Sequence, residues 1–263
     1  MSKVSKSLKA IFAIIRNPWL LNHVLVDNDL WLKSITKKYS INSLPVVDID
    51  TLFPNFNEEL SAFSSLGGSS FPGDLMLLRA LCKTIPNCKY FEIGTSRGES
   101  AVNVADVCSL CYTLDLEPGK LPNEIEVKTA AFFSKGNSKI THFNGDSLTF
   151  DYKGLHQKFD VIFIDGDHHY ESVKSDTENV FKYLAHENTI VVWHDYGFDP
   201  LNVRYVVMGA ILDGTPANLH KNLYHVSNTM CAVYINKQYT TMDLATAHIP
   251  NKKFAVKIES KSL

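Results

Sequence analysis

From residue 89 onward the chain alternates short apolar runs with stretches of helical period, and nothing else in the sequence constrains the fold as tightly. The runs are Tyr90–Ile93, Cys111–Leu114, Ile140–Phe143, Val161–Ile164, Thr189–Trp193, Leu223–Val226 and Cys231–Ile235. Between them, Glu99–Val107, Tyr170–Leu184 and Val203–Leu212 place apolar residues at three- and four-residue spacings, as helices do. Strands alternating with helices imply βαβ units and a parallel sheet. The last two runs are close enough in sequence to pair antiparallel. An α/β fold with a Rossmann-like sheet follows. Such sheets bind ligands beyond the carboxyl ends of their strands, so those ends are where chemistry is to be sought.

The rest of the chain frames this unit. Residues 1–40 read as helical, with Leu8, Ile11, Phe12 and Ile15 on one face. Lys3, Lys6 and Lys9 give the start a faint look of a signal peptide, but Arg16, Asn17 and Pro18 cut the apolar run short, so an amphipathic helix is expected. Pro18 can open a second helix carrying Trp19, Leu20, Val24 and Leu25. Prolines and glycines punctuate residues 42–73, which read as an irregular connector, and Asp74 stands where it could cap a helix Leu75–Cys82. The expected organisation is a helical and irregular N-terminal cap at 1–74, a ligand-binding sheet domain at 75–236 and a tail at 237–263.

Composition removes several classes. At 45% hydrophobic and 21% charged, the 263 residues suit a folded core and not a disordered chain. A formal net charge of −2 gives no basic excess for nucleic acid or a membrane surface. No run reaches the roughly 18–20 apolar residues of a membrane span. Five scattered cysteines do not form a disulfide framework, which places the protein in a reducing cytoplasm. Cys108 and Cys111 form a lone C-x-x-C pair and read as core packing.

The first strand leads into Glu92-Ile93-Gly94-Thr95-Ser96-Arg97-Gly98-Glu99-Ser100. Gly94 and Gly98 let backbone approach a ligand closely, and the following helix start offers unpaired N–H groups. The spacing is not the dinucleotide G-x-G-x-x-G, and an acid beside the turn would oppose a pyrophosphate. Glu92 instead suits a cationic or amino-bearing ligand. Asp115, at the end of the second strand, could accept from ribose hydroxyls. Asp146, in Asn144-Gly145-Asp146-Ser147, could accept from an adenine amino group.

Taken in order, these motifs resemble the class I S-adenosylmethionine-dependent methyltransferases over residues 75–236. The resemblance implies a mostly parallel sheet of seven strands with an antiparallel final strand. It implies S-adenosyl-L-methionine as cofactor, held by Glu92, Gly94, Thr95, Ser96, Gly98, Ser100, Asp115, Asp146 and Ser147. A Rossmann-like fold binding another nucleotide, or none, is the alternative.

Ile164-Asp165-Gly166-Asp167-His168-His169-Tyr170-Glu171 ends the fourth strand, and His194-Asp195-Tyr196 ends the fifth. Neighbouring parallel strands run about 4.8 Å apart, so Asp165, His194 and Asp195 could meet on one divalent ion. This pairing resembles an uncharacterised methyltransferase family with I-D-G-D-H-x-Y-E and H-D-Y motifs, related to the metal-dependent O-methyltransferases. Residue by residue, that resemblance implies a metal, Mg²⁺ or Mn²⁺, on Asp165, His194 and Asp195. His194 departs from it, since those relatives carry an acid there. His168 matches the position of the base, with His169 as its competitor, and Asp165 belongs to the catalytic group. Asp165 and Asp167 could instead cap the helix at Tyr170, and His194 could support the site with no metal present.

The implied activity is O-methylation of a small molecule or sugar hydroxyl. A metal-free N-methyltransferase, a metal-dependent hydroxylase and a non-catalytic binding protein stay open beside it. The expected partner is a small-molecule acceptor, with no nucleic acid and no membrane span. The apolar N-terminal helices could supply a face for a homo-oligomer. Arg97 and Arg204 could bind an anionic acceptor group, Tyr170 could shape its pocket, and residues 117–138 read as an insertion able to form a lid.

Overall fold

The computed structural model describes residues 3–18, 28–60, 70–121, 123–257 and 259. The chain divides into two compact units, Met1–Asn42 and Ser43–Leu263. The first holds helices α1 (Lys3–Arg16) and α2 (Asn28–Tyr39). α1 has the expected apolar stripe of Leu8, Ile11, Phe12 and Ile15, extended by Val4, and carries Lys3, Lys6, Lys9 and Arg16. The helix expected after Pro18, with Trp19, Leu20, Val24 and Leu25, lies outside the described residues.

In the second unit the elements run β1 (Val46–Val47), α3 (Ile49–Leu52), α4 (Pro72–Lys83), β2 (Lys89–Ile93), α5 (Glu99–Val104), β3 (Leu110–Asp115) and α6 (Glu124–Thr129). They continue with β4 (Ile140–Asn144), β5 (Phe159–Ile164), α7 (Tyr170–Asn179), β6 (Ala185–Trp193), β7 (Gly197–Asp199), β8 (Asn202–Val203), α8 (Tyr205–Gly214), β9 (Leu223–Val226), β10 (Ala232–Tyr234) and α9 (Leu244–Ala247). Eight strands form the main sheet, in the order β1-β9-β10-β6-β5-β2-β3-β4. β6, β5, β2, β3 and β4 pair in parallel, and β10 runs antiparallel to both β6 and β9. This is the Rossmann-like sheet with an antiparallel last strand.

The eighth strand, β1, comes from the stretch read as an irregular connector. It pairs parallel with β9, and Met242 bridges to Val46 on its other side. Two residues carry no visible period, so the strand has no signature of its own in the sequence.

The central strands are buried on both faces. β5 reads Phe-Asp-Val-Ile-Phe-Ile, and Val161, Ile162 and Phe163 are wholly inaccessible. Such unbroken apolar runs belong to parallel sheets covered by helices on both sides. α7 is pinned to β6 by Trp193 Nε1, which donates to Thr177 Oγ1 at 2.8 Å. Helix bounds depart from expectation in four places, one of them α8, expected at Val203–Leu212 and found at Tyr205–Gly214 because Val203 belongs to β8. α5 stops at Val104 and not Val107, and α7 passes into a π-helical turn at Val180–Leu184. α4 starts at Pro72, with Phe71 as its N-cap, so Asp74 lies inside the first turn. Its carboxylate reaches back to accept from the Phe71 N–H at 2.9 Å, and it is fully buried.

Gly94 shows why a glycine ends β2. Its φ is +94°, and a β-carbon there would collide with the Asp165 carbonyl. The approach lets Asp165 N donate to Ile93 O at 2.8 Å and sets the two strand ends side by side. Gly94→Ala is expected to cost about 1–3 kcal/mol from backbone strain, with the clash in addition. Gly119→Ala, which meets nothing within 4 Å, should stay within about 0.5 kcal/mol of wild type. Urea denaturation of both variants checks this; equal midpoints would refute the account.

Candidate active site

The glycine turn between β2 and α5 is held from two sides. Asp115, at the end of β3, accepts from Ser96 N and from Leu116 N, each at 2.7 Å. Across the turn, Ala131 N donates to Ser96 O at 2.7 Å and Phe133 N to Arg97 O at 2.9 Å. The insertion at 117–138 is therefore docked on the turn through residues 131–133. Gly98 takes φ +80°, and a side chain there would also strike Ser134, itself buried. Ser96 also takes a positive φ, +46°. Arg97, proposed as an anion binder, lies 3.6 Å from Glu99.

Glu92 is completely buried at the root of this turn. Tyr90 Oη donates to its Oε2 at 2.7 Å, while Oε1 has no hydrogen-bond partner among the described residues. Burial pushes its carboxyl up to about 8, against the hydrogen bonds from Tyr90 and Ser100, which favour the ionised form. Thr95 Oγ1 is likewise buried without a partner among the described residues. The turn thus pairs a backbone cradle with two polar atoms left unsatisfied, which fits an amino-bearing ligand. Asp146 is partly exposed after β4, its Oδ1 accepting from Leu148 N at 3.0 Å, and Ser147 lies beside it.

The second cluster sits at the ends of β5 and β6. His194 Nδ1 lies 2.9 Å from Asp165 Oδ1 and 3.6 Å from Asp195 Oδ2. Its Nε2 lies 3.2 Å from Asp74 Oδ2. One ligand atom from each of Asp165, His194 and Asp195 falls within 4.8 Å of the others, as a shared cation would need. Nδ1 is buried and makes no properly directed hydrogen bond among the described residues. An imidazole anchored through Nε2–H on a carboxylate presents its Nδ1 lone pair as a ligand, the usual support for a metal-bound histidine. The donor set therefore fits a divalent ion.

The electrostatics of the protein by itself are those of a clamp. Burial alone would lower the His194 pKa, but Asp165, with Asp195 and Asp74, outweighs it and holds the imidazole well above its usual range. Burial raises the Asp165 carboxyl, more than His194 lowers it. Asp195 stays below the usual carboxylate range: burial opposes this, but His194 and Arg204 prevail. Arg204 Nη2 is 3.1 Å from Asp195 Oδ1, so this arginine is engaged inside the cluster.

His168 is exposed and lines the same shallow cleft as Asp165, His194 and Asp195. Its ring stacks on His169 at 5.3 Å between centroids. His169 is engaged by Asp167, which also accepts from the His169 N–H and from Ser172 Oγ. Asp167 thus organises the start of α7, while Asp165 turns toward His194. Tyr170 spends its hydroxyl on Asp213, at 2.6 Å, linking α7 to α8.

Asp74 is the residue that sequence reasoning missed. Besides Phe71 N and His194, it accepts from Met230 N at 2.8 Å. Its only signal was an acid at the start of a helix, which reads as an ordinary cap.

Comparison with known proteins adds the following. Residues 91–196, under half of the chain, match the family model described as a methyltransferase domain. No curated protein matches the chain. Among solved structures, it is similar to a Klebsiella pneumoniae protein provisionally described as an O-methyltransferase, at 15% identity and a TM-score of 0.47, covering 65% of this chain and 84% of that one. A Staphylococcus aureus protein provisionally described as a caffeoyl-CoA O-methyltransferase gives 17% identity and a TM-score of 0.46, over 84% and 99% of the two chains. The O-methyltransferase of Bacillus cereus, solved in complex with SAH, gives 14% and 0.45, over 84% and 97%.

Glu92 gives a pH test. Its folded pKa of about 8 lies above the ordinary glutamate value, so between the two the folded chain holds a proton that the unfolded chain has lost. Stability from this group is full below the ordinary value and falls as pH rises toward 8. Glu92→Gln should flatten that slope, so its unfolding midpoint gains on wild type between pH 5 and 9. Parallel slopes in urea melts across that range would refute it.

Proposed function

We propose that this chain is an S-adenosylmethionine-dependent methyltransferase acting on a hydroxyl oxygen of a small molecule or sugar, with a divalent ion, Mg²⁺ or Mn²⁺, at Asp165, His194 and Asp195. One observation carries the reading. The glycine turn with its unsatisfied Glu92, and the Asp165–His194–Asp195 group, stand at the same carboxyl edge of the sheet on adjacent strands β2, β5 and β6. The match to a methyltransferase domain over residues 91–196 supports it.

When bound, S-adenosylmethionine supplies an electrophilic methyl group, and a divalent ion supplies Lewis acidity toward an acceptor hydroxyl. The chain's own residues do the positioning. Glu92 and the 94–98 backbone, with Thr95, Ser96 and Ser100, would receive the amino-acid part of the cofactor. Asp115 would exchange its loop N–H partners for ribose hydroxyls, and Asp146 with Ser147 would border the adenine. Asp165, His194 and Asp195 would hold the ion, with Asp74 fixing the imidazole ring. His168, exposed at the mouth of the cleft, would take the acceptor proton, the general-base work imidazoles commonly do. The exposed Ile125, Val127 and Phe132 on the insertion would give an apolar border to an acceptor. A reducing cytoplasm suits the five free cysteines. The apolar face of α1 would serve contact with a second copy.

A metal-free variant has one observation in its favour. The imidazolium of His194, caged by three carboxylates, satisfies those charges without an ion.

Calorimetry with S-adenosylhomocysteine should show binding by wild type, weakened about tenfold or more in Asp115→Ala. No binding by wild type would overturn the cofactor reading. Transfer of labelled methyl to a catechol or sugar hydroxyl should stop on chelation and return with Mg²⁺ or Mn²⁺; an unchanged rate would favour the metal-free form. His168→Ala should lower kcat by about 10²–10⁴ with cofactor affinity kept, and an unaltered kcat would reject it as the base.

A further inference from the structure

At the opposite end of β2 from the glycine turn, three thiols converge. Cys82 lies in the last turn of α4, Cys88 directly precedes β2, and Cys108 follows α5. Their sulfurs lie within 4.8 Å of one another. In sequence the three are scattered, and Cys108 appeared to belong with Cys111. The fold separates that pair: Cys111 turns its thiol to the Ala101 carbonyl, 3.9 Å away.

The arrangement is held by the backbone and not by the sulfurs alone. Ser109 N donates to Cys88 O at 2.8 Å, and Ser109 Oγ donates to the Asn87 and Cys88 carbonyls at 2.6 and 3.0 Å. These bonds clamp the chain at Cys108 to the chain at Cys88. Between Cys82 and Cys88 the turn closes through Ile85 N, which donates to Cys82 O at 3.2 Å, and through Asn87 in a left-handed conformation at φ +56°. Asparagine adopts that conformation readily, so Asn87 is suited to the turn that delivers Cys88. Cys82 and Cys88 are fully buried and Cys108 is partly exposed, so the cluster is dry on two sides and reachable on the third.

We propose that Cys82, Cys88 and Cys108 form a binding site for a soft, thiophilic metal ion of the Cu⁺ or Zn²⁺ class. The donor set argues for it. Among the described residues no carboxylate or imidazole joins the three sulfurs at that range, so the site is all sulfur. Hard cations such as Mg²⁺ and Ca²⁺ take oxygen ligands, whereas thiolates select Cu⁺ and Zn²⁺. Three sulfurs complete a trigonal Cu⁺ site; Zn²⁺ would take a water as its fourth ligand on the Cys108 side. On binding, metal–sulfur bonds replace S–H bonds, the protons go to solvent, and the ion keeps its oxidation state. β2 spans about 17 Å at the usual rise, so this ion would stand far from the Asp165 cluster. Its effect would be to tie α4, β2 and α5 together at the amino edge of the sheet.

The test uses the reduced, full-length protein stripped of metal with a chelator. It is titrated with Cu⁺ against bicinchoninate, and separately with Zn²⁺ against a chromophoric competitor. Wild type and Cys111→Ser should each retain one equivalent of Cu⁺. Cys108→Ser should bind about tenfold or more weakly with an unchanged circular dichroism spectrum. The Zn²⁺ difference between wild type and Cys108→Ser separates this site from the carboxylate one. A second measurement needs no variant: Cu⁺ should protect the partly exposed Cys108 from alkylation in wild type, read by peptide mass spectrometry. Equal metal retention by wild type and Cys108→Ser, or Cys108 alkylation untouched by Cu⁺, would overturn the proposal.

Discussion

The Asp74 carboxylate is the constraint on which the second unit's carboxyl edge depends. It is fully buried, and a buried carboxylate survives only with its lone pairs occupied. Three separate pieces of chain supply the partners: Phe71 N from the start of α4, Met230 N from the turn between β9 and β10, and His194 from the end of β6. Without Asp74 the imidazole has no anchor, the β9–β10 turn loses a buried acceptor, and the first turn of α4 loses its reciprocal bond. The close-packed strand ends at Gly94 and Asp165 complete the arrangement, because they bring β2 against β5 where His194 meets Asp165. Folding energy and site geometry here rest on the same few contacts.

The same contacts explain what could be read in the chain beforehand. Continuous apolar runs such as Val161–Ile164 and Ile190–Trp193, alternating with helical stretches, announce buried parallel strands. Strand-end acids and histidines could be placed near one another because strand spacing is fixed by backbone hydrogen bonding. Pairings that cross long stretches of chain were illegible. Asp74 reaches His194 from 120 residues away, and no local period marks it. Cys82 and Cys108 were hidden for the same reason, while the nearer Cys108–Cys111 spacing suggested a pair that the fold keeps apart. Strand β1 is too short for any period to register.

The insertion at 117–138 illustrates a different limit. Its composition marked it as an excursion able to fold over the site, and nothing in it said how it attaches. It attaches by backbone: Ala131 and Phe133 donate to the carbonyls of Ser96 and Arg97, and Ser134 fills the space that Gly98 leaves. Backbone bonding is blind to side-chain identity, so such docking leaves little trace in the residues that do it. The result is a glycine turn gripped by Asp115 on one side and by the insertion on the other.

The short strand β1 has a consequence for assembly. An open sheet carries a row of unpaired amide and carbonyl groups along each border, ready to template a neighbouring chain. Beside β9, that border is sealed by two residues of β1, and the outer side of β1 is met in turn by Met242 through reciprocal bonds between Val46 and Met242 at 2.9 Å. The second unit thus finishes its own sheet with segments drawn from both of its ends. At this border the sheet offers less free backbone to a neighbouring molecule, since His225 and Val226 are covered by β1 and Val46 by Met242.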